Sequence, residues 1–138
     1  MNQLLLVNDD DDIRNRTAAM IIDLGWEVYV ADGEDKVFES IVARRPDLMI
    51  VDIEIECGGG YEAISTARRL FPDLFIIAVT RGGHKSLWLE AVCQCGANIY
   101  VVGPVSKSKL AGAINFGLRK GRVLCGMPQE KGPSLDVE

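Results

Sequence analysis

Five short apolar runs punctuate the chain: Leu4 to Val7, Glu27 to Ala31, Leu48 to Val51, Leu74 to Val79, and Ile99 to Val102. Each has the length of a β-strand. They are rich in Val, Ile and Leu and mostly continuous rather than alternating, which is the signature of strands buried on both faces of a parallel sheet. Such a sheet needs helices on both sides, and the intervening segments supply them. Ile13, Ala18, Ile21, Ile22 and Leu24 fall at helical spacing before Gly25, a natural terminator. Val37, Phe38, Ile41 and Val42 repeat the pattern ahead of Pro46, and Tyr61, Ile64, Ala67 and Leu70 carry a third helix towards Pro72. Leu87, Leu89 and Val92 predict a fourth helix ending near Gly96, and Leu110, Ala113, Ile114 and Leu118 a fifth. The alternation specifies a (βα)5 doubly wound, five-stranded parallel sheet over residues 1–121. Residues 122–138 turn to Gly, Pro and charge, and are expected to form a flexible C-terminal tail or linker stub.

Composition narrows the function. A chain of 138 residues that is 48% hydrophobic builds one core, and its net charge of −5 opposes direct contact with nucleic acid or an anionic membrane surface. The first apolar run is too short for a signal-peptide core or a bilayer span, so a cytoplasmic location is expected. The four cysteines, Cys57, Cys93, Cys95 and Cys125, lie in unlike settings and lack the partners of a zinc site, so reduced thiols are expected.

In open parallel sheets, ligands bind beyond the carboxyl ends of the strands. Those ends carry Asn8-Asp9-Asp10-Asp11-Asp12, then Asp52, then Thr80-Arg81, then Gly103-Pro104. Two neighbouring carboxylates, Asp9 and Asp52, repel each other and favour a hard divalent cation with oxygen ligands and several waters; Mg²⁺ is the natural choice. The backbone carbonyl of Glu54 is expected to add a third protein oxygen. The cation would then screen a phosphoryl group arriving at Asp52. Asp11 or Asp12 is expected to cap the first helix. Gly58 to Gly60 lacks the lysine and hydroxyl of a phosphate-binding P-loop, so nucleotide binding is not expected.

The segments Leu5-Leu6-Val7-Asn8-Asp9-Asp10-Asp11-Asp12-Ile13-Arg14, Pro46-Asp47-Leu48-Met49-Ile50-Val51-Asp52-Ile53, Gly60-Tyr61-Glu62 and Gly96-Ala97-Asn98-Ile99-Tyr100 resemble the receiver domains of two-component response regulators. The resemblance implies a flavodoxin-like receiver fold and phosphorylation of Asp52 by a histidine kinase or phosphotransfer protein. It also implies Asp9 as the metal-binding acid, Thr80 as the hydroxyl that bonds phosphoryl oxygens, and Tyr100 as an aromatic switch. Output is then expected through the surface of the fourth helix, fifth strand and fifth helix, where a partner or a second copy would dock as a homodimer.

The chain departs from the family pattern at several places. Asn8 replaces the first of two acids and reaches a metal only weakly, through water. Gly103 stands where the family carries a lysine before the proline, so the cation that pairs with the phosphoryl group is missing there. Arg81 follows Thr80 where the family prefers a small residue; it is read first as a surface cation, with a substitute phosphoryl contact or an obstruction of the phosphodonor as alternatives between which the sequence does not decide. Glu56 replaces a common proline, and Cys57-Gly58-Gly59-Gly60 suggests a flexible loop. His84 has no role assigned. The departures at Asn8 and Gly103 motivate an alternative, a phosphorylation-independent pseudo-receiver acting as an interaction or dimerisation module. An aspartyl-nucleophile phosphatase is a weaker third reading, because Asp52-Ile53-Glu54-Ile55 lacks the threonine that such enzymes use.

Overall fold

The computed structural model describes residues 2–55, 59–81 and 90–120. Five strands, β1 (Gln3–Val7), β2 (Glu27–Ala31), β3 (Leu48–Asp52), β4 (Phe75–Thr80) and β5 (Ile99–Val102), form one sheet in the order β2-β1-β3-β4-β5. Every pairing is parallel. The helices are α1 (Asp11–Asp23), α2 (Val37–Arg44), α3 (Gly59–Leu70) and a C-terminal helix (Lys107–Lys120). Of the expected fourth helix, the described part is a π-helix over Glu90–Cys95, which carries the free thiols Cys93 and Cys95. Glu56, Cys57, His84 and the expected tail at 122–138 lie outside the described residues.

Alternation along each strand splits the core in two. Leu4, Leu6, Leu48, Ile50, Ile77 and Ile99 face α1 and the C-terminal helix, packing with Ile21, Leu110 and Ile114. Leu5, Val7, Met49, Val51, Ile76 and Ala78 face α2, α3 and the π-helix, packing with Ile41, Ile64 and Ala91. The continuous apolar runs of β1 and β3 are thus explained by burial on both faces. β2 lies at the sheet edge, and Val30 there remains half exposed.

Four local features set where the strand ends point. Asp10, rather than the expected Asp11 or Asp12, caps α1: its Oδ1 accepts from the Ile13 N–H at 3.0 Å, while Asp11 and Asp12 sit in the first turn. The chain leaves α1 through Gly25 at φ 97°, and α2 through Arg45 at φ 51°. Gly60, read from sequence as part of a flexible loop, is a packing residue. A Cβ there would lie 2.5 Å from Ile53 Cα and 2.6 Å from the Asp52 carbonyl oxygen, so its missing side chain lets the start of α3 press against the end of β3. β4 extends one residue further than its apolar run predicts, so Thr80 is held inside the ladder opposite Val102.

Candidate functional site

The ladder aligns Val7 with Val51, Asp52 with Val79 and Thr80 with Val102, which collects the carboxyl ends of the central strands at one edge. Asp52 is 3% exposed there, and Thr80 and Asn8 are also buried. A buried carboxylate needs partners. Asp52 Oδ1 accepts from the Glu54 N–H at 2.8 Å, and Oδ2 accepts from Asn8 Nδ2 at 3.2 Å and from Arg81 Nη2 at 2.7 Å.

Arg81 is an exposed cation, as expected, and it is also paired with the buried Asp52. Its backbone N–H donates to Glu54 Oε2 at 2.7 Å, and its Nε lies 3.8 Å from Glu54 Oε1, so Glu54 steers the guanidinium onto Asp52. The hydrogen bond to Asp52 is the largest cause holding the Arg81 guanidinium above its ordinary range; burial works against it, and the charges of Asp52, Glu54 and Asp10 add to it. A cation does stand at the Asp52 carboxylate, delivered from the end of β4 rather than β5.

At β5 the Gly103 N–H donates to the Thr80 carbonyl oxygen at 2.6 Å, and a Cβ at 103 would come within 2.9 Å of that same oxygen. Any side chain at this position would need the ends of β4 and β5 to shift. Asn8 turns its amide oxygen towards the Asp10 N–H at 2.8 Å and presents its amino group to Asp52, so it acts as a donor to the carboxylate. Arg14 Nη1 donates to the Asn8 carbonyl at 3.0 Å and also pairs with Asp11, fixing the β1–α1 loop. Asp9 is half-buried in that loop. Tyr100 is half-buried on β5 and packs against the core cluster that contains Ala91 and Val92 of the π-helix. Among the described residues, no three His, Cys, Asp or Glu side chains converge as a metal cage.

Asp52, Asn8, Thr80, Arg81 and Gly103 thus surround one hollow, together with residues the sequence did not single out, such as Thr17 and Met20 of α1. No sequence signal marked those two, because helical apolar spacing reads as core wherever the helix ends up packing. The cap at Asp10 did leave a signal, its spacing of three from Ile13, obscured by the run of four aspartates.

A family model of the response regulator receiver domain matches residues 4–115. The chain belongs to that family. The receiver is 30% identical over 111 residues to the CAI-1 autoinducer sensor kinase/phosphatase CqsS of Vibrio cholerae, covering 78% of this chain and 16% of that protein. It is 29% identical over 121 residues to the transcriptional regulatory protein AfsQ1 of Streptomyces coelicolor, covering 88% and 53% respectively. Among solved structures, a putative response regulator from Chloroflexus aurantiacus superposes with a TM-score of 0.80 at 26% identity, covering 86% of this chain and 98% of that one. A CheY-like receiver domain from Methanospirillum hungatei gives 0.79 at 25% identity, covering 87% and 95%. The receiver spans about half or less of the length of the two curated relatives named, and nearly all of the two solved domains. Among its described residues, no helix is long and apolar enough to cross a membrane.

Proposed function

We propose that this receiver is the phosphoacceptor of a two-component phosphorelay, with Asp52 taking a phosphoryl group from a histidine kinase or phosphotransfer protein. Arg81 takes the part of the absent strand-five lysine. The observation that carries this reading is the 2.7 Å contact between Arg81 Nη2 and Asp52 Oδ2. In the transfer, a carboxylate oxygen of Asp52 attacks phosphorus, an O–P bond forms as the donor's P–N bond breaks, and the imidazole leaves with a proton. Arg81 passes from the carboxylate to a phosphoryl oxygen, a charge-assisted bond of roughly 1.5–3 kcal/mol. The Thr80 hydroxyl, fixed at the end of β4, donates to a second.

Mg²⁺ fits the donor chemistry: Asp9, Asp52 and the Glu54 carbonyl are hard oxygens, with Asn8 reached through water. Bound there, the ion would neutralise charge on the carboxylates and the incoming phosphoryl oxygens. The Arg81 guanidinium competes for the same Asp52 oxygen, and Asn8 faces Asp52 as a donor. Both lower the affinity for Mg²⁺.

Readout runs from Thr80 and Tyr100 to the surface of the fourth helix, β5 and the C-terminal helix, where a partner or a second copy docks. The net charge of −5 disfavours nucleic acid and membrane there, and the signalling role is cytoplasmic rather than enzymatic. The test is incubation with acetyl phosphate or phosphoramidate and Mg²⁺, followed by intact-mass measurement. One added phosphoryl group is expected on the wild type, none on Asp52→Asn, and about tenfold lower occupancy on Arg81→Ala, which binds Mg²⁺ more tightly. No added mass on the wild type would sink the proposal.

A second reading draws on the full engagement of Asp52 by Glu54, Asn8 and Arg81. A carboxylate so satisfied suits a module that docks partners without phosphorylation. Identical partner binding by the wild type and Asp52→Asn, with no added mass on either, is its expected signature.

A further inference from the structure

The hollow beside Asp52 measures about 300 Å³ and extends from the acceptor site under α1. That is near the lower end of the roughly 300–1,000 Å³ typical of ligand sites. Its floor is Leu6 and Ile50 of the sheet, one wall is Ile13, Thr17 and Met20 of α1, and the other is the loop Gly103 to Val105. Gly103 lines it without a side chain of its own. Ile13, Met20, Val79 and Val105 are only partly buried, whereas a closed core would cover them.

The polar groups on the walls are unequal. Asp52 is the one carboxylate among the lining residues, and it already accepts from three donors. Arg16 and Arg81 both border the hollow. Among the described residues, Arg16 donates through its Nε alone, to the Asp12 carbonyl at 3.4 Å, and a guanidinium carries five N–H groups. The lining therefore offers apolar carbon and, at Arg16, a guanidinium with N–H groups to spare, whereas Arg81 is already paired with Asp52 and Glu54.

We propose that this hollow is a binding site for a small, largely apolar carboxylate, of the size of one aromatic ring on a short chain. The body lies on Leu6, Ile50 and Met20, and the carboxylate meets the Arg16 guanidinium at the rim. Binding of this kind is read on the unphosphorylated chain, so it stands apart from whether Asp52 accepts a phosphoryl group.

The experiment is a titration of the ¹⁵N-labelled chain with 4-phenylbutyrate, followed by amide shifts. Saturable shifts at Leu6, Thr17 and Ile50 are expected, with binding about tenfold weaker for 4-phenylbutanol and for the Arg16→Ala variant. Val105→Phe and Met20→Phe, on opposite walls, fill the hollow, and whichever of them keeps a folded spectrum should lose binding. Absence of saturable shifts in the wild type overturns the proposal, as does equal binding of the alcohol and the acid, or unchanged binding in a folded filled variant.

Discussion

Asp52 holds its place through neighbours that each contribute one bond and one constraint. Glu54 shows this best, because its backbone N–H satisfies Asp52 Oδ1 while its carboxylate accepts from the Arg81 N–H and steers the guanidinium onto Oδ2. The sequence named Asp52, Glu54 and Arg81 individually but left the role of Arg81 open, since whether a guanidinium reaches across a site depends on where two loops lie. Gly60 is the other residue whose meaning changed. Gly60→Ala places a Cβ within 2.5 to 2.9 Å of backbone atoms of Asp52 and Ile53 that have no flexible end to move aside. We expect a loss of about 2 kcal/mol or more in chemical denaturation, and displaced amide resonances for Asp52 to Glu54. A variant as stable as the wild type would mean that α3 does not seat against β3 as described.

The element that matters most to the site is the start of α1. Asp10 caps it through Ile13, the Asp10 N–H orients Asn8, and Asn8 in turn donates to Asp52. Asp10→Ala removes the side-chain acceptor but keeps the backbone donor, so the helix end should weaken by about 1 kcal/mol while the Asn8 contact persists. Urea denaturation checks the first expectation; a folded Asp10→Ala that still shows the wild-type Asn8 side-chain amide resonance checks the second. If Asp11 or Asp12 were the true cap, their alanine variants would carry that loss instead.

At the scale of the whole molecule, α1 and the C-terminal helix share one face of the sheet and are tied by Lys107 Nζ to Asp23 Oδ2 at 2.7 Å. The hydrogen bond from Lys107, and then its charge, hold the Asp23 carboxyl below its ordinary value, with slight desolvation opposing. A lowered folded pKa gives stability that is present above the unfolded value of 3.8 and fades as pH falls through the folded value. Lys107→Ala should therefore melt slightly below the wild type at pH 7, and the gap should close in the acid range below pH 3.8; both partners are exposed, so the gap is small. A gap that persists unchanged in acid would assign the loss to packing.

The apolar runs and the helical spacing between them were enough to predict five strands, their parallel pairing and the double layer of helices, because strands buried on both faces leave short, nearly continuous Val/Ile/Leu-rich runs. The strand-end residues determined that Asp52, Thr80 and Asp9 belong to one edge, since parallel strands carry all their carboxyl ends to the same side. What only the tertiary structure decided is which groups touch: that Arg81 pairs with Asp52, that Asn8 donates rather than accepts, and that the space at Gly103 opens under α1. Those contacts join residues dozens of positions apart, and they follow from distances of a few ångströms that hydrophobic periodicity does not encode.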